Sequence, residues 1–170
     1  INQKKNGYGA AIKDGFKICN AKYACIFNAD ESFNINDLPK MIKLLKNNDF
    51  VFASRYLKNA GSDDDTFLTW FGNFIFTLLG KYFLKIDLTD ILYTYVLCNK
   101  KSFLNLKIKN NDYRLCVELP FKVHFYKYKY TSIASHEYKR QFGEKNVNEF
   151  RDGFLILLEI IRCFKKRILH

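Results

Sequence analysis

The chain has little proline, glycine, histidine or tryptophan: its 170 residues include two Pro, eight Gly, three His and one Trp. This scarcity of Pro and Gly, beside 17 Phe and 11 Tyr, excludes a disordered or low-complexity chain. The hydrophobic share of 48% is ordinary for a globular protein. We therefore expect a single domain with a core of its own.

Cysteine chemistry is limited as well. The five cysteines are odd in number, and no two of them form a Cys-x-x-Cys pair. With so little histidine, this pattern argues against both a zinc site and a disulfide framework. Reduced thiols in a cytoplasmic protein are expected. The sequence also lacks an uninterrupted apolar run of about 18 residues, and no signal peptide is visible, so no spanning helix is predicted.

Positive charge is in excess, with a formal net charge of +11 at pH 7. Such a charge favours an anionic partner, which leaves nucleic acid, an anionic membrane and a phosphorylated substrate as candidates. A nucleic-acid partner is not expected, because no groove-reading or base-stacking motif is present. The sequence gives no indication of an oligomeric state.

The order of elements predicts the fold class. Apolar runs rich in β-formers predict strands over residues 23–28 and 50–54, and each follows a predicted helix. This alternation indicates an α/β protein with a mostly parallel sheet. The helix before the first strand is predicted over residues 8–19, and the one before the second is capped by Asn36 or Asp37 and carries apolar residues from Leu38 to Leu45. Helices are further predicted over 66–83, 101–106, 115–127 and 147–166, and strands over 92–98 and 129–134. The acidic run at 63–65 is interpreted as a solvated loop.

Two oxygen-bearing side chains, Asn28 and Asp30, follow the first predicted strand. Because side chains alternate along an extended chain, both point to one side. They then lie at the carboxyl end of a strand, where open α/β sheets bind ligands. The pair suits a divalent cation that holds a diphosphate. The alternative is an ordinary turn or helix cap.

Four motifs in order give a resemblance. They are Asn6-Gly7-Tyr8-Gly9-Ala10-Ala11, Asn28-Ala29-Asp30, Ser54-Arg55-Tyr56, and Arg140-Gln141-Phe142-Gly143-Glu144-Lys145 followed by Phe150-Arg151-Asp152-Gly153. Together they resemble the family 2 glycosyltransferases of the GT-A fold. Within that family, the dolichol-phosphate mannosyltransferase-like branch, which moves a sugar from a nucleotide onto a polyprenyl phosphate, is the most similar.

The resemblance implies a partial GT-A fold, which is a Rossmann-like three-layer sandwich, with a C-terminal amphipathic helix. It begins partway into the family domain, so the N-terminal strand–helix–strand portion is expected to be missing. Residues 1–60 would be the rest of the nucleotide-sugar half, 61–146 the acceptor half, and 147–170 a basic amphipathic helix. The implied reaction is an inverting sugar transfer.

On the donor side, the resemblance implies that Asp30 and Asn28 bind Mg²⁺ or Mn²⁺, which bridges the donor diphosphate. Asn28 is a departure from the family's Asp-x-Asp motif, and a neutral amide attracts a hard cation less strongly. Arg55 and Lys145 are implied as ligands of the phosphates. An inactive, glycosyltransferase-like binding or scaffolding module is therefore the alternative function.

On the acceptor side, the resemblance implies Asp90, Glu118, Lys139 and Arg140. Asp90 would orient the acceptor or act as a base, unless it is only a cap. Glu118 would face the acceptor, unless it forms a structural ion pair. Arg140, with Lys139 and Lys145, would hold the acceptor phosphate or the donor diphosphate, unless the loop is simply solvated. Asp30, Asp90 and Arg140 are thus the predicted catalytic residues.

Two apolar helices bear on a lipid-linked acceptor. The helix at 66–83 is apolar on more than one face, which is typical of a core helix or of an interfacial helix lying on a bilayer. The last helix combines an apolar stripe with Lys165, Lys166 and Arg167, which favour anionic headgroups. Peripheral contact with the membrane is therefore expected.

Overall fold

The structure is a computed structural model that describes residues 5–143 and 147–169. The helices are α1 (Tyr8–Ile18), α2 (Leu38–Leu45), α3 (Phe67–Leu84), α4 (Lys100–Asn105), α5 (Leu115–Phe125) and α6 (Glu149–Ile168). The strands are β1 (Tyr23–Ile26), β2 (Phe50–Ser54), β3 (Gly61–Ser62), β4 (Val96–Asn99), β5 (Tyr130–Ala134) and β6 (His136–Glu137). Each of the predicted helices at 8–19, 66–83, 101–106, 115–127 and 147–166 ends within two residues of its observed bounds.

The main sheet is mixed, with the strand order β1-β4-β2-β5. Strand β2 pairs in parallel with β5, whereas β4 lies antiparallel between β1 and β2. Hence β1, β2 and β5 run in one direction, as predicted, and their carboxyl ends share one edge. A strand was predicted at 92–98, and the observed β4 is shorter. Its antiparallel direction was not predicted, and it makes the sheet mixed where a mostly parallel one was expected.

Helices cover both faces of this sheet. Along β2 the side chains alternate, so Phe50 and Phe52 face a core built with α1, α4, α5 and α6. Val51 and Ala53 face a second core built with α2. Because the side-chain period of a strand is two, one buried strand serves both cores. The result is the expected α/β sandwich of three layers.

A small second sheet fixes the position of the acidic run 63–65 next to β6. Strand β3 pairs in parallel with β6, and the backbone N–H of Asp63 donates to the carbonyl of Glu137. This pairing, which was not predicted, holds the run beside the end of β5. The interpretation as a solvated loop was wrong for Asp64 and Asp65, whose side chains are 17% and 11% exposed and are paired with arginines.

Helices α3 and α6 pack against each other on one side of the molecule. A capping box formed by Thr66 and Thr69 begins α3, and Lys85, in the left-handed conformation, ends it. By length and composition alone α3 could cross a membrane, a test that core helices of soluble proteins also pass, and 17% of it is buried. It leaves large apolar side chains exposed, as does α6. On α3 these include Phe67, Trp70, Phe71, Phe74 and Leu78, and on α6 Phe150, Phe154, Leu158 and Ile161.

Candidate active site

A cavity of about 490 Å³ lies at the carboxyl edge of the sheet. Asn28 and Asp30 reach it from the segment after β1, and Arg55 from the residue after β2. Glu137 and Arg140 reach it from β6 and the segment that follows. The sequence prediction that these segments converge at one edge agrees with this geometry, because the three parallel-running strands end there.

Asp30 makes a turn and also faces the cavity. Its Oδ1 atom accepts hydrogen bonds from the backbone N–H of Ser32 at 3.1 Å and from the Ser32 hydroxyl at 2.7 Å. Its Oδ2 atom lies 4.0 Å from Nη1 of Arg140. The turn interpretation and the ligand interpretation are therefore compatible, because each uses a different carboxylate oxygen.

Asn28 presents its amide oxygen to the same cavity, where Tyr8 donates a hydrogen bond to Oδ1 at 3.4 Å. One carboxylate and one amide oxygen fit Mg²⁺, which proteins usually hold by one or two carboxylates together with substrate phosphates. Among the described residues, no group of three or more His, Cys, Asp or Glu side chains could hold a metal alone. The donor set thus fits a cation shared with a diphosphate rather than one held by protein alone.

Arg55 is buried, with 8% of its side chain exposed, and is held by three carboxylates. Its Nε lies 2.8 Å from Oδ2 of Asp90, and its Nη1 lies 3.1 Å from Oε2 of Glu137. Burial alone would lower the pKa of Arg55, but Asp90 and then Glu137 raise it well above its ordinary value. This guanidinium is a fixed positive charge in the cavity wall.

Asp90 is fully buried beneath that wall and does not line the cavity. Its oxygens accept from the side chain and the backbone N–H of Arg55 and from the backbone N–H of Tyr93. This position favours the orienting role over the role of a base. Proton transfer by Asp90 stays a prediction.

Arg140 bridges two acids at the cavity mouth. Its Nη2 donates to Oδ2 of Asp64 at 2.5 Å, and its Nη1 faces Asp30. Two backbone hydrogen bonds, from Tyr138 to the Ser32 carbonyl and from Gln141 to the Asp30 carbonyl, bring the segment around Arg140 to the Asp30 turn. The guanidinium is thereby held at the cavity mouth between Asp64 and Asp30.

Negative charge is in excess around these two guanidiniums. The carboxylates paired with or facing Arg55 and Arg140 are those of Asp30, Asp64, Asp65, Asp90 and Glu137. Burial raises the pKa of Glu137, although Arg55 and the Ser62 hydroxyl act in the opposite direction. A bare diphosphate would be repelled by such a surplus, so the electrostatics favour a ligand that arrives with a divalent cation.

The structure does not bring Glu118 to this site. Glu118 accepts hydrogen bonds from the backbone N–H groups of Lys109 and Asn110 and pairs with Lys122 at 2.6 Å. Glu118 lines a different cavity, so the structural ion pair describes it better than contact with an acceptor. Lys139 is exposed and does not line the site cavity. Lys145 lies outside the described residues.

Tyr8 is a cavity residue to which the sequence reasoning gave no role. Its hydroxyl hydrogen-bonds with the Thr94 hydroxyl at 2.5 Å, and its ring stacks on Tyr113 with a centroid distance of 5.1 Å. Gly7, at φ +122°, lets the start of α1 lie against the backbone at Asn111, because a Cβ on Gly7 would lie 2.3 Å from the Asn111 carbonyl oxygen. The Gly-Tyr-Gly triplet was the signal available in the sequence.

These features agree with the resemblance found in the sequence, and the chain belongs to glycosyl transferase family 2, which residues 1–106 match. The α/β architecture with its mixed sheet agrees with a partial GT-A fold. The chain is also similar to Glycosyltransferase AglJ of Haloferax volcanii, at 25% identity over 168 residues. That match covers 97% of this chain and 55% of AglJ, so the chain spans about half the length of this relative. The predicted family is confirmed, and the dolichol-phosphate branch stays a prediction.

Proposed function

We propose that the protein transfers a sugar from a nucleoside-diphosphate sugar to a lipid-linked phosphate, such as a polyprenyl phosphate, or to a related glycan acceptor of the cell envelope. The observation that carries this proposal is one cavity in which the oxygens of Asn28 and Asp30, which suit a divalent cation, lie opposite the guanidinium of Arg140. Membership of a glycosyltransferase family supports sugar transfer as the chemistry.

The donor side is built from the turn after β1 and the end of β2. Asn28 Oδ1 and Asp30 Oδ2 would hold a divalent cation, whose charge would stabilise the departing diphosphate. Arg55 adds a fixed positive charge in the wall, and its ion pair with Asp90 keeps it oriented. Such preorganised charge stabilises the leaving group without reorganisation during the reaction.

A phosphate acceptor suits this cavity better than a sugar hydroxyl. A hydroxyl requires a general base, whereas a phosphate oxygen is already anionic at neutral pH. Asp90, the predicted base, is buried and bound to Arg55.

Of the carboxylates that line the cavity, Asp30 already accepts two hydrogen bonds from Ser32. Glu137 already accepts hydrogen bonds from Arg55 and Ser62. The divalent cation and Arg140 at the cavity mouth would together offset the repulsion between two anionic substrates. These positions support an acceptor that brings its own nucleophilic oxyanion.

A lipid-linked acceptor would require the protein to work at a membrane surface. Apolar side chains on α3 and α6 face solvent, and the last turn of α6 carries Lys165, Lys166 and Arg167. An apolar face with a basic end binds an anionic bilayer surface, each cation near the surface contributing about 1 kcal/mol. We place the protein at the cytoplasmic face of a membrane, in peripheral contact with it.

The test is transfer of radiolabelled sugar from a panel of nucleotide sugars to polyprenyl phosphate in vesicles, by the intact protein, with Mg²⁺ and with EDTA. We expect a lipid-extractable labelled product that is lost in EDTA. Product on a soluble glycan alone would replace the lipid acceptor in this proposal.

A second function is favoured by one observation, the neutral Asn28 at the metal site. An inactive relative of the family would use the cavity to bind rather than to turn over a nucleotide sugar. Metal-dependent binding of a nucleoside diphosphate, without transfer to any acceptor in the same panel, would support this binding or scaffolding module and contradict catalysis.

A further inference from the structure

The cavity that Glu118 lines has a volume of about 280 Å³. It lies between the turn that follows α4, the helix α5 and the C-terminal half of α6. Among the described residues, it shares no lining residue with the cavity of the candidate active site. The reaction proposed above therefore leaves this second cavity without a role.

Positive charge is in excess in the second cavity. Its described lining includes two carboxylates, Glu118 and Glu159, and five cations, which are Lys107, Lys109, Lys122, Arg162 and Lys166. Glu118 already pairs with Lys122 at 2.6 Å. Glu159 already pairs with Arg162 at 3.1 Å. The balance is the reverse of that at the active site, where carboxylates outnumber guanidiniums, so this cavity attracts an anion that brings no metal ion.

Three lysines of this cavity, Lys107, Lys109 and Lys166, form no ion pair with a carboxylate in the part of the chain that the structure describes. Lys166 donates a hydrogen bond to the Tyr126 hydroxyl at 3.1 Å, which leaves the Tyr126 O–H to donate to a ligand. That hydrogen bond, with the charges of Lys166, Lys122 and Lys109, lowers the pKa of Tyr126 against the opposing effect of burial. The hydroxyl thus lies in the positive field of the cavity.

Lys122 gives the cavity a fixed cation, because its side chain is only 8% exposed. Besides its ion pair with Glu118, its Nζ donates to the Lys107 carbonyl at 2.7 Å. An ammonium group has three donors, so one remains for a ligand. Buried Leu106 and Phe121 form the apolar part of the lining, and apolar walls reduce the screening of these charges by water.

We propose that this second cavity binds a phosphate group, as inorganic phosphate or as a phosphate monoester, among Lys107, Lys109 and Lys166. A phosphate monoester carries a charge of about −1.5 to −2 at pH 7 and three acceptor oxygens. It therefore matches three lysines without carboxylate partners better than the single charge of a carboxylate does, and lysine commonly binds phosphate as a point charge. The site does not depend on sugar transfer, because it shares no residue with the candidate active site.

The test is acetylation of lysines, read by mass spectrometry, on the intact protein at constant ionic strength. EDTA is present throughout, so that no divalent cation can hold phosphate at the active site. We expect inorganic phosphate and glycerol 3-phosphate to protect Lys107, Lys109 and Lys166 from acetylation. Lys101, an exposed lysine of α4 that does not line the cavity, should stay unprotected.

Titration calorimetry with the same two probes measures the affinity. Lys109→Gln should weaken binding roughly tenfold, because it removes a hydrogen bond between two charged groups. The Lys109 side chain is exposed, and its backbone N–H keeps its hydrogen bond to Glu118, so this variant should fold. Lys101→Gln is the matched control and should bind phosphate as the wild type does.

A second set of samples identifies the source of the phosphate. Phosphatidylcholine vesicles that contain phosphatidic acid present a phosphate monoester, whereas those that contain phosphatidylglycerol present a diester. Stronger protection of the three lysines by phosphatidic acid supports the site with a lipid headgroup as its ligand, and protection by the soluble probes alone supports it with a free phosphate. The site is overturned if no probe protects these lysines, if Lys101 is protected equally, or if folded Lys109→Gln binds phosphate as tightly as the wild type.

Discussion

The guanidinium of Arg55 grips both carboxylate oxygens of Asp90, with Nε 2.8 Å from Oδ2 and Nη2 3.1 Å from Oδ1. The backbone N–H of Arg55 donates to the same carboxylate, as does that of Tyr93. One buried acid thereby joins the end of β2 to the segment that precedes β4. The same contacts therefore orient Arg55 in the cavity wall and connect β2 to the chain that enters β4.

Asp90→Asn should lower the free energy of unfolding by about 3–5 kcal/mol, because it leaves the buried charge of Arg55 without its main partner. Urea unfolding followed by circular dichroism measures the change. Asp87→Asn is the control, since Asp87 is exposed, and its effect should stay within about 0.5 kcal/mol. Wild-type stability combined with lost turnover in Asp90→Asn would instead identify Asp90 as the base.

Asp30→Asn should weaken metal-dependent binding of a nucleoside diphosphate by roughly tenfold or more, because the cation loses its one anionic ligand from the protein. The variant keeps an oxygen for the turn with Ser32, so the local fold should survive. Isothermal titration in Mg²⁺ and in EDTA measures the effect. Its neighbour Glu31→Gln, an exposed acid-to-amide change, should bind as the wild type does. Equal affinity in Asp30→Asn and wild type would remove Asp30 from the metal site.

Asn28→Asp should act in the opposite direction and tighten Mg²⁺-dependent binding of the nucleotide by several-fold, because a second carboxylate is a stronger ligand for a hard cation than an amide. Asn28→Ser keeps an oxygen without the charge and serves as its control. The same titration, repeated in EDTA, measures both. Tighter binding that persists in EDTA would contradict a metal-based explanation.

Much of the fold could be predicted because its signals are local. The apolar run at 50–54 marks a buried strand, and the helices follow from spacing and caps. The direction of β4 could not be predicted, since an apolar run carries no information about which neighbour it pairs with or in which sense. The site edge was nevertheless predictable, because it depends only on where β1 and β2 end.

The partners of the charged residues could not be predicted, because each pair joins distant parts of the chain. Asp64 lies 76 positions from Arg140 and was interpreted as solvated. Arg55 was expected to bind phosphate. Sequence alone gave no indication that its guanidinium would pair with the carboxylate of Asp90, which lies 35 positions away. Such ion pairs depend on the tertiary fold, which composition and periodicity do not specify.

Arg140→Ala should lower kcat/KM for a lipid phosphate by roughly 10- to 100-fold, the usual value of a hydrogen bond to a charged group. Donor affinity should fall less, because the donor diphosphate is held from the Asp30 side. Lys139→Ala is the matched control, an adjacent cation that is exposed and does not line the cavity. A loss of donor affinity equal to the loss for the acceptor would assign this loop to the donor.

Glu118→Gln should change how stability depends on pH. Burial alone would raise the pKa of Glu118, but Lys122 and the backbone N–H groups of Asn110 and Lys109 lower it overall. A carboxyl with a lowered pKa in the folded state stabilises the protein above its unfolded pKa of about 4.3, and this stability is lost as pH falls through the folded pKa. Acid should therefore remove from the wild type the stabilisation that the Glu118 carboxylate provides. The Gln variant lacks this stabilisation at every pH.

At pH 7 the variant should be less stable by about 3 kcal/mol, because Lys122 keeps its charge without a charged partner. The gap between the two proteins should narrow as pH falls below the unfolded pKa and close once pH has fallen through the lowered folded pKa of Glu118, where the wild-type carboxyl is protonated too. Urea unfolding at a series of pH values measures both curves, with Glu31→Gln as the exposed control. Parallel curves for wild type and Glu118→Gln would show that this ion pair contributes nothing to acid sensitivity. In that case Glu118 would stabilise the loop at 109–110 only through the hydrogen bonds that it accepts from the backbone. The amide of Gln can partly replace those hydrogen bonds.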